Sequence, residues 1–407
     1  MSDLAPNDSP SPGSASEVFR VFLRLGLTSF GGPIAHLAYF REEFVTRRGW
    51  LDDARFAQLL SVCQFLPGPA SSQMGFAIGL FRGGWLGALA AFIAFTLPSA
   101  LLMVGFAALA PQLGHGLGAV AVHGLKLVAV VVVAHGLLGM VRQLAPDATR
   151  ALIAAGAAAL IVSTGSAWMQ LIAIALGGML GTLVCRRAAA GVVAAFPIRY
   201  GSRGAIVFLS VFLLGLCGAL MWPSAGEPTI AGLAAAFYRA GALVFGGGHV
   251  VLPLLQESVV KSGWMEADKF LAGYGAAQAM PGPMFSLGAF LGAEVPLDSS
   301  PWVGATIALL AVFVPGFVLL LAVLPVWGRL AQRPWAANAM AGVNAAVVGL
   351  LVAAFYDPVL TEGVRGFTDV AIAAIGFALL AVVRVSALWI VLWCVSASMA
   401  MNLAGWT

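Results

Sequence analysis

Charge is what this chain has least of. Lys, Arg, Asp and Glu make up 9% of its 407 residues, against about 25% in a soluble domain, which excludes an ordinary water-soluble fold. The net charge of +4 is small and its arginines are scattered near the ends of apolar runs. They form no basic groove for a phosphate backbone, which excludes nucleic acid as a partner. Cysteines are few and solitary: Cys63, Cys185, Cys217 and Cys394 each lie within or beside an apolar run. No close pair offers a metal site or a redox couple, so they read as small core residues. Alternating apolar and polar strands are missing, which excludes a β-barrel. No nucleophile with a partner base and no cluster of carboxylates and histidines stands out, which argues against an enzyme, a metal or a cofactor. Residues 1–15 have neither the basic start nor the apolar core of a signal peptide. Their Pro, Ser and two Asp read as a disordered cytoplasmic tail.

What the chain has is long apolar runs. Trp85 to Leu109 and Ile206 to Trp222 are two of them, and such lengths span a hydrocarbon core of roughly 30 Å as helix. With 61% hydrophobic residues, the expectation is an all-α polytopic membrane protein.

The chain also repeats itself. A shift of about 215 positions lays "FLRLGLTSFGG" (Phe22 to Gly32) on "FYRAGALVFGG" (Phe237 to Gly247). In the same way Gly49 and Trp50 meet Gly263 and Trp264, and Gln64 meets Gln278. Pro67, Gly68 and Pro69 meet Pro281, Gly282 and Pro283; Ser72 meets Ser286; Pro98 meets Pro315. The expected layout is an N-terminal repeat over 16–185, a basic cytoplasmic linker with one extra transmembrane helix over 186–228, and a C-terminal repeat over 229–407. One extra span between copies inverts the second if the first crosses an even number of times. Arginine placement agrees with this: with the linker 186–204 cytoplasmic, Arg82, Arg142, Arg150, Arg329, Arg333 and Arg384 share its side, and the loops "PQLGHGLG" and "STGSA" outside carry no Lys or Arg. The N-terminus is then cytoplasmic and the C-terminus periplasmic.

Each copy opens with two stretches, 16–47 and 53–82, then 229–261 and 268–294. Each stretch is a pair of arms of about 13 to 15 residues, about 20 Å of helix and too short to cross a bilayer alone. The arms flank "FGGP" (Phe30 to Pro33), "PGP" (Pro67 to Pro69), "FGGG" (Phe245 to Gly248) and "PGP" (Pro281 to Pro283). Either a discontinuous helix crosses there, or a re-entrant hairpin dips in and returns; basic residues on every side of the first pair favour the hairpin. Backbone groups freed at such breaks persist in a membrane only where protein or a watery cavity satisfies them. Glycines admit close approach, and the following helix starts offer free N–H groups and positive dipole ends, which suits an anion.

The substrate-binding residues expected from this pattern are the tip glycines Gly31, Gly32, Gly68, Gly246, Gly247 and Gly282, with Ser71, Ser72 and Ser286 after the Pro-Gly-Pro corners. Arg24 and Arg239 occupy matching positions inside apolar arms, where an arginine's forked donors suit an oxyanion; snorkelling, or pairing with an acid such as Glu17, is the bland reading. Gln64 and Gln278 either face a ligand or close the helix. Lys126 and its counterpart Asn344 are polar in both copies. His36 and His249 lie just past the two glycine tips as donors or proton acceptors. Asp52 with Arg55 and Glu266 with Lys269 read as N-caps with i,i+3 pairs, and Trp50 and Trp264 as interfacial anchors.

The duplicated "FGGP…H" and "PGP" blocks, with "FGGG" and "QAMPGP" in the second half, resemble the bacterial chromate ion transporter family in its two-domain form, from about Val18 onward. The resemblance implies export of chromate across the inner membrane, chromate resistance, sulfate as a competing analogue, and an electrochemical gradient as the energy source. No G-x-x-x-x-G-K-[ST] phosphate loop is present, in keeping with a secondary transporter. The residues alone reach only a small anion, so uptake or exchange of sulfate, and a lipid flippase or intramembrane lipid-processing protein, stay open. So do the coupling ion, with His36, His249 and Glu257 as titratable groups near the tips, and assembly as a homodimer.

Overall fold

The computed structural model describes residues 13–113, 115–164, 167–185, 196, 198, 200–223, 226–245 and 250–405. Gly246, Gly247 and His249 lie outside the described residues, as does most of the basic linker. The described elements are helices, with no strand among them.

The first half runs through α1 (Ala15–Thr28), α2 (Gly32–Arg41) with a π-turn over Glu42–Arg47, α3 (Asp53–Phe65), α4 (Ala70–Leu109), α5 (Leu117–Leu144), α6 (Ala148–Thr164) and α7 (Ala167–Val184). The extra helix is α8 (Ser202–Met221). The second half follows with α9 (Ile230–Leu243), α10 (Val251–Val259), α11 (Ala267–Ala279), a 3-10 turn at Met284–Ser286, α12 (Leu287–Glu294) and α13 (Pro301–Val323). After the short α14 (Trp327–Leu330) come α15 (Pro334–Ala354), α16 (Thr361–Gly363), α17 (Phe367–Ala378) and α18 (Ala387–Leu403). The helices break where the sequence predicts: the arms α1 and α9 have 14 residues each, and α3 and α11 have 13 each.

Continuous helix over the 40 residues of α4 would reach about 60 Å, twice the hydrocarbon thickness. Instead Gly83 (φ −127°, ψ 17°) and Gly84 (φ 63°, ψ −155°) leave the helical region. The chain doubles back there, and a Cβ on either Gly79 or Gly87 would strike the other's carbonyl oxygen. The second half repeats the device, with Gly292 against Gly304 and an open connection between α12 and α13 in place of the glycine bend. Only residues without side chains allow two backbones to approach this closely, the usual way of packing helices when lipid offers no hydrophobic drive.

The two halves interlock. Within each, the first arm packs on the long proline-containing helix, α1 on α4 and α9 on α13. Across them, α17 and α18 pack on α5, while α6 and α7 pack on α15. Outward from these contacts the surface is apolar, with Leu86, Leu89, Ile93, Leu97 and Leu101 exposed along α4 and Ile206, Val207 and Leu214 along α8. That surface is suited to hydrocarbon.

Two local expectations need correction. Asp52 caps α3, its carboxylate accepting the Arg55 N–H at 2.7 Å, but Glu266 at the start of α11 makes no side-chain cap. Its expected partner Lys269 instead pairs with Glu294 at 2.8 Å, because α12 returns alongside α11 and brings that acid within reach. Replacing Asp52 by Ala is therefore expected to lower stability by about 1 kcal/mol, and Glu266→Ala to leave it unchanged, as read by thermal unfolding in detergent. The matched tryptophans are buried and are not exposed interfacial anchors. Trp50 stacks on Phe44 beneath the guanidinium groups of Arg48 and Arg82. Trp264 donates its indole N–H to the Gly226 carbonyl at 2.9 Å.

Candidate anion site

At the first tip α1 ends on Ser29, whose N–H returns to the Leu25 carbonyl. Gly31 (φ +100°) and Gly32 (φ +74°) then turn the chain through left-handed conformations into α2. His36, one turn into α2, folds back over the break. Its Nε2 lies 3.2 Å from the Ser29 carbonyl oxygen and its Nδ1 3.5 Å from Ser71 Oγ. The ring is buried and set edge-on to Phe95.

The Pro-Gly-Pro corners reach across to the opposite half. The Gly68 N–H donates to the Val244 carbonyl at 2.8 Å, and the Gly282 N–H donates to the Ser29 carbonyl at 2.9 Å. Ser29 and Val244 are counterparts, each one residue before the Phe of its glycine tip. Each corner therefore satisfies a carbonyl freed at the end of the other half's first arm, which is the need that a break inside a membrane creates.

The corners also rest on the prolines inside the long helices. Gly68 sits against Gly316, next to Pro315, and Gly282 against Ser99, next to Pro98. Gln73 ties this together by donating to both the Pro67 and the Gly316 carbonyls at 2.9 Å.

Several hydroxyls around the corners have no partner among the described residues. Ser29 Oγ, Ser72 Oγ, Ser286 Oγ and Thr96 Oγ1 are buried and unbonded, with Ser72 4% and Ser286 1% exposed. A buried hydroxyl left unsatisfied costs about 1–3 kcal/mol, and native structures keep few of them. Matched Ser72 and Ser286 carry this cost in both halves. Each follows its corner on the first helical turn, where backbone N–H groups are also uncapped by a side chain. Hydroxyl donors, first-turn N–H groups and helix dipoles converging on glycine corners can hold an anion without a formal cation.

The remaining expected residues take other positions. Arg24 is exposed, on the side of α1 away from the buried Val21, Phe22 and Leu25, and Glu17, its suggested partner, pairs with Arg82 at 3.2 Å. Arg239 is half-buried and lines a separate small cavity of about 10 Å³ with Trp222, Ser258 and Trp264, bordered by Ala219 of α8. The first half has no counterpart of α8, so Arg24 has no such cover. Gln64 is exposed, and Gln278 donates to Met284 Sδ at 3.1 Å across its own corner. Lys126 is paired with Asp268 at 2.5 Å. Asn344 Oδ1 is buried without a partner among the described residues. Ser29, Thr96 and Ser99 escaped the sequence reading. Ser29 and Ser99 fall on Val244 and Gly316 in the other copy, so the repeat offers no matching polar residue to mark either, although matched Pro98 and Pro315 point to Ser99's neighbourhood.

The profile of the chromate transporter family matches residues 16–182 and 231–399, one block in each half. The chain belongs to the chromate transporter family. A chromate transport protein of Pseudomonas aeruginosa is 28% identical over 91% of this chain and 88% of its own length. One of Cupriavidus metallidurans is 26% identical over 95% and 93%. A probable chromate transport protein of Synechococcus elongatus is 29% identical over 84% of each. No solved structure matches. The chain is thus a multi-pass membrane protein of a transport family and not an enzyme.

Proposed function

We propose that this chain is a secondary transporter that exports chromate across the bacterial inner membrane by alternating access and so confers chromate resistance. Its N-terminus is cytoplasmic and its C-terminus periplasmic. The halves are inverted copies, and their broken stretches are re-entrant hairpins whose tips meet near the bilayer midplane. The observation that carries this reading is the reciprocal pair of bonds, Gly68 to Val244 and Gly282 to Ser29, lying beside the unpartnered hydroxyls of Ser72 and Ser286.

A tetrahedral oxyanion presents only acceptors, and the groups gathered at the corners are donors or can turn to donate. Binding the anion would satisfy hydroxyls that have no partner among the described residues. Because each corner is bonded to the other half, a tilt of one half against the other changes both corners together, which is what opening alternately to each face requires. Arg239 in its pocket and exposed Arg24 act at the approaches, raising the local concentration of anion.

Purified protein in vesicles, offered labelled chromate, labelled sulfate and a fluorescent phospholipid, tests the reading. Chromate flux without lipid movement is expected. Lipid scrambling without chromate flux would replace it with the lipid-processing alternative, and sulfate flux at the expense of chromate would reassign the substrate.

A further inference from the structure

A second charged cluster lies away from the corners, where α5 of the first half meets α11 and α17 of the second. On α5, His123 Nε2 is 3.0 Å from Asp369 Oδ1 at the start of α17. The other carboxylate oxygen of Asp369 accepts the Arg365 backbone N–H at 2.8 Å. One turn along α5, Lys126 pairs with Asp268 at 2.5 Å, and Asp268 also receives the Arg365 guanidinium at 3.4 Å. The side chains of Asp369 and Lys126 are 4% exposed and that of His123 12%, while Asp268 and Arg365 reach the surface. The pseudo-symmetric positions are blank: in the register that pairs Lys126 with Asn344, His123 falls on Ala341, and Asp268 falls on Ala54.

The hydrogen bonds decide where a proton sits. A nitrogen facing a carboxylate carries the proton, so Nε2 is the N–H donor and Nδ1 keeps its lone pair. Nδ1 is buried and without a partner among the described residues, a base with nothing yet to bind. With His123 neutral, the two acids balance Lys126 and Arg365. A proton from water adding to the Nδ1 lone pair makes the ring an imidazolium facing the Asp369 carboxylate and adds one positive charge to the cluster. Its loss to water restores the balance.

The other charges packed around α5 do not compete for this proton. Asp357 and Glu362, on the segment ahead of α17, are exposed, as is Glu266, while Lys269 is held by Glu294. The helices α15 and α18 bring no charged side chain.

We propose that the His123–Asp369 pair is a proton-binding site that couples transport to the pH gradient, acting through Lys126 and Asp268 on α11, the arm that ends at the Gly282 corner. This deepens the transport reading and rests on it. The contact that would carry the signal is tight, since Gly275 of α11 lies directly against the Leu125 carbonyl of α5. Any change in how Asp268 is held is passed to a rigid arm 13 residues long, with Gly282 just past its end.

The test uses full-length protein in vesicles with the membrane potential clamped. Two quantities are read: labelled chromate exchange at equal pH, and net chromate flux driven by a pH gradient. One pH unit changes a proton-coupled driving ratio about tenfold per proton, and wild type is expected to respond on that scale. His123→Gln should lose the response while exchange at equal pH continues. Asp369→Asn, which keeps an acceptor oxygen toward His123, should do the same and guards against misfolding of the first variant. A pH response retained in both variants overturns the proton site, as does wild-type exchange with no pH response. Wild type without any chromate exchange overturns the transport reading itself.

Discussion

Replacing Ser72 and Ser286 together by alanine is expected to raise the KM for chromate by about two orders of magnitude or more without lowering thermal stability in detergent. Neither hydroxyl has a partner among the described residues, so its removal breaks no bond and relieves a desolvated polar group. A stability measurement should therefore not move, or should rise slightly. The same hydroxyls bonded to a doubly charged oxyanion are worth about 1.5–3 kcal/mol each, and about 1.4 kcal/mol is a factor of ten in affinity. A structural role predicts the reverse pattern, with lost stability and unchanged KM. Single variants should each show part of the effect, and equal losses from Ser72→Ala and Ser286→Ala would support a site shared by the two halves. An unchanged KM in the double variant would remove the corners from the binding site.

The second large effect is expected at the corner glycines. Gly68 has φ +124° and Gly282 φ +95°, regions where a side chain costs about 1–3 kcal/mol. Space is short as well. A Cβ on Gly68 would come within 3.0 Å of Gly316 Cα and 2.7 Å of the Gln73 amide nitrogen, and one on Gly282 within 3.0 Å of Ser99 Oγ. Gly282→Val should push its corner away from α4 and weaken the N–H bond to Ser29. Initial chromate flux in vesicles should fall by more than about tenfold, the loss that 1.4 kcal/mol in a barrier produces. Gly226, which also has positive φ but open space around it, is the control: Gly226→Val should slow transport far less. Wild-type flux in Gly282→Val would mean that the cross-contact is not part of the moving machinery.

The positions of the breaks were legible in the sequence because proline and glycine act locally. Pro67 to Pro69 and Pro281 to Pro283 end helices wherever they occur, and the structure breaks α3 from α4 and α11 from the turn before α12 at those residues. The repeat was legible for the same reason, since each copy needs the same local devices at the same spacing. The caps were only half legible. Asp52 and Glu266 occupy equivalent places, yet only Asp52, the favoured N-cap type, bonds its helix start, and Lys269 turns to Glu294 in the second half.

The identities of the site residues were less legible, because which face of a helix is covered is a property of the neighbours. Arg24 and Arg239 are equal in sequence, but α8 stands over only one of them. Gln64 is exposed and Gln278 buried at matching positions. Lys126, conspicuous as a lone cation in an apolar helix, proved to be paired with an acid from a segment about 140 residues away in sequence.

By itself the sequence determined an all-helical membrane protein made of two copies, the places where its helices must stop, and the family to which its paired motifs point. The first two follow from composition, from spacing and from the backbone limits of glycine and proline, the third is a resemblance of motifs, and none needs knowledge of distant contacts. Only the tertiary structure decided that each Pro-Gly-Pro corner bonds the opposite half, that Ser72 and Ser286 have no partner among the described residues, and that His123, Lys126, Asp268 and Asp369 gather where α5 meets α11 and α17. Those outcomes depend on which freed carbonyls and charges come within hydrogen-bond reach after the halves interlock, and that reach is set by packing between segments far apart in the chain.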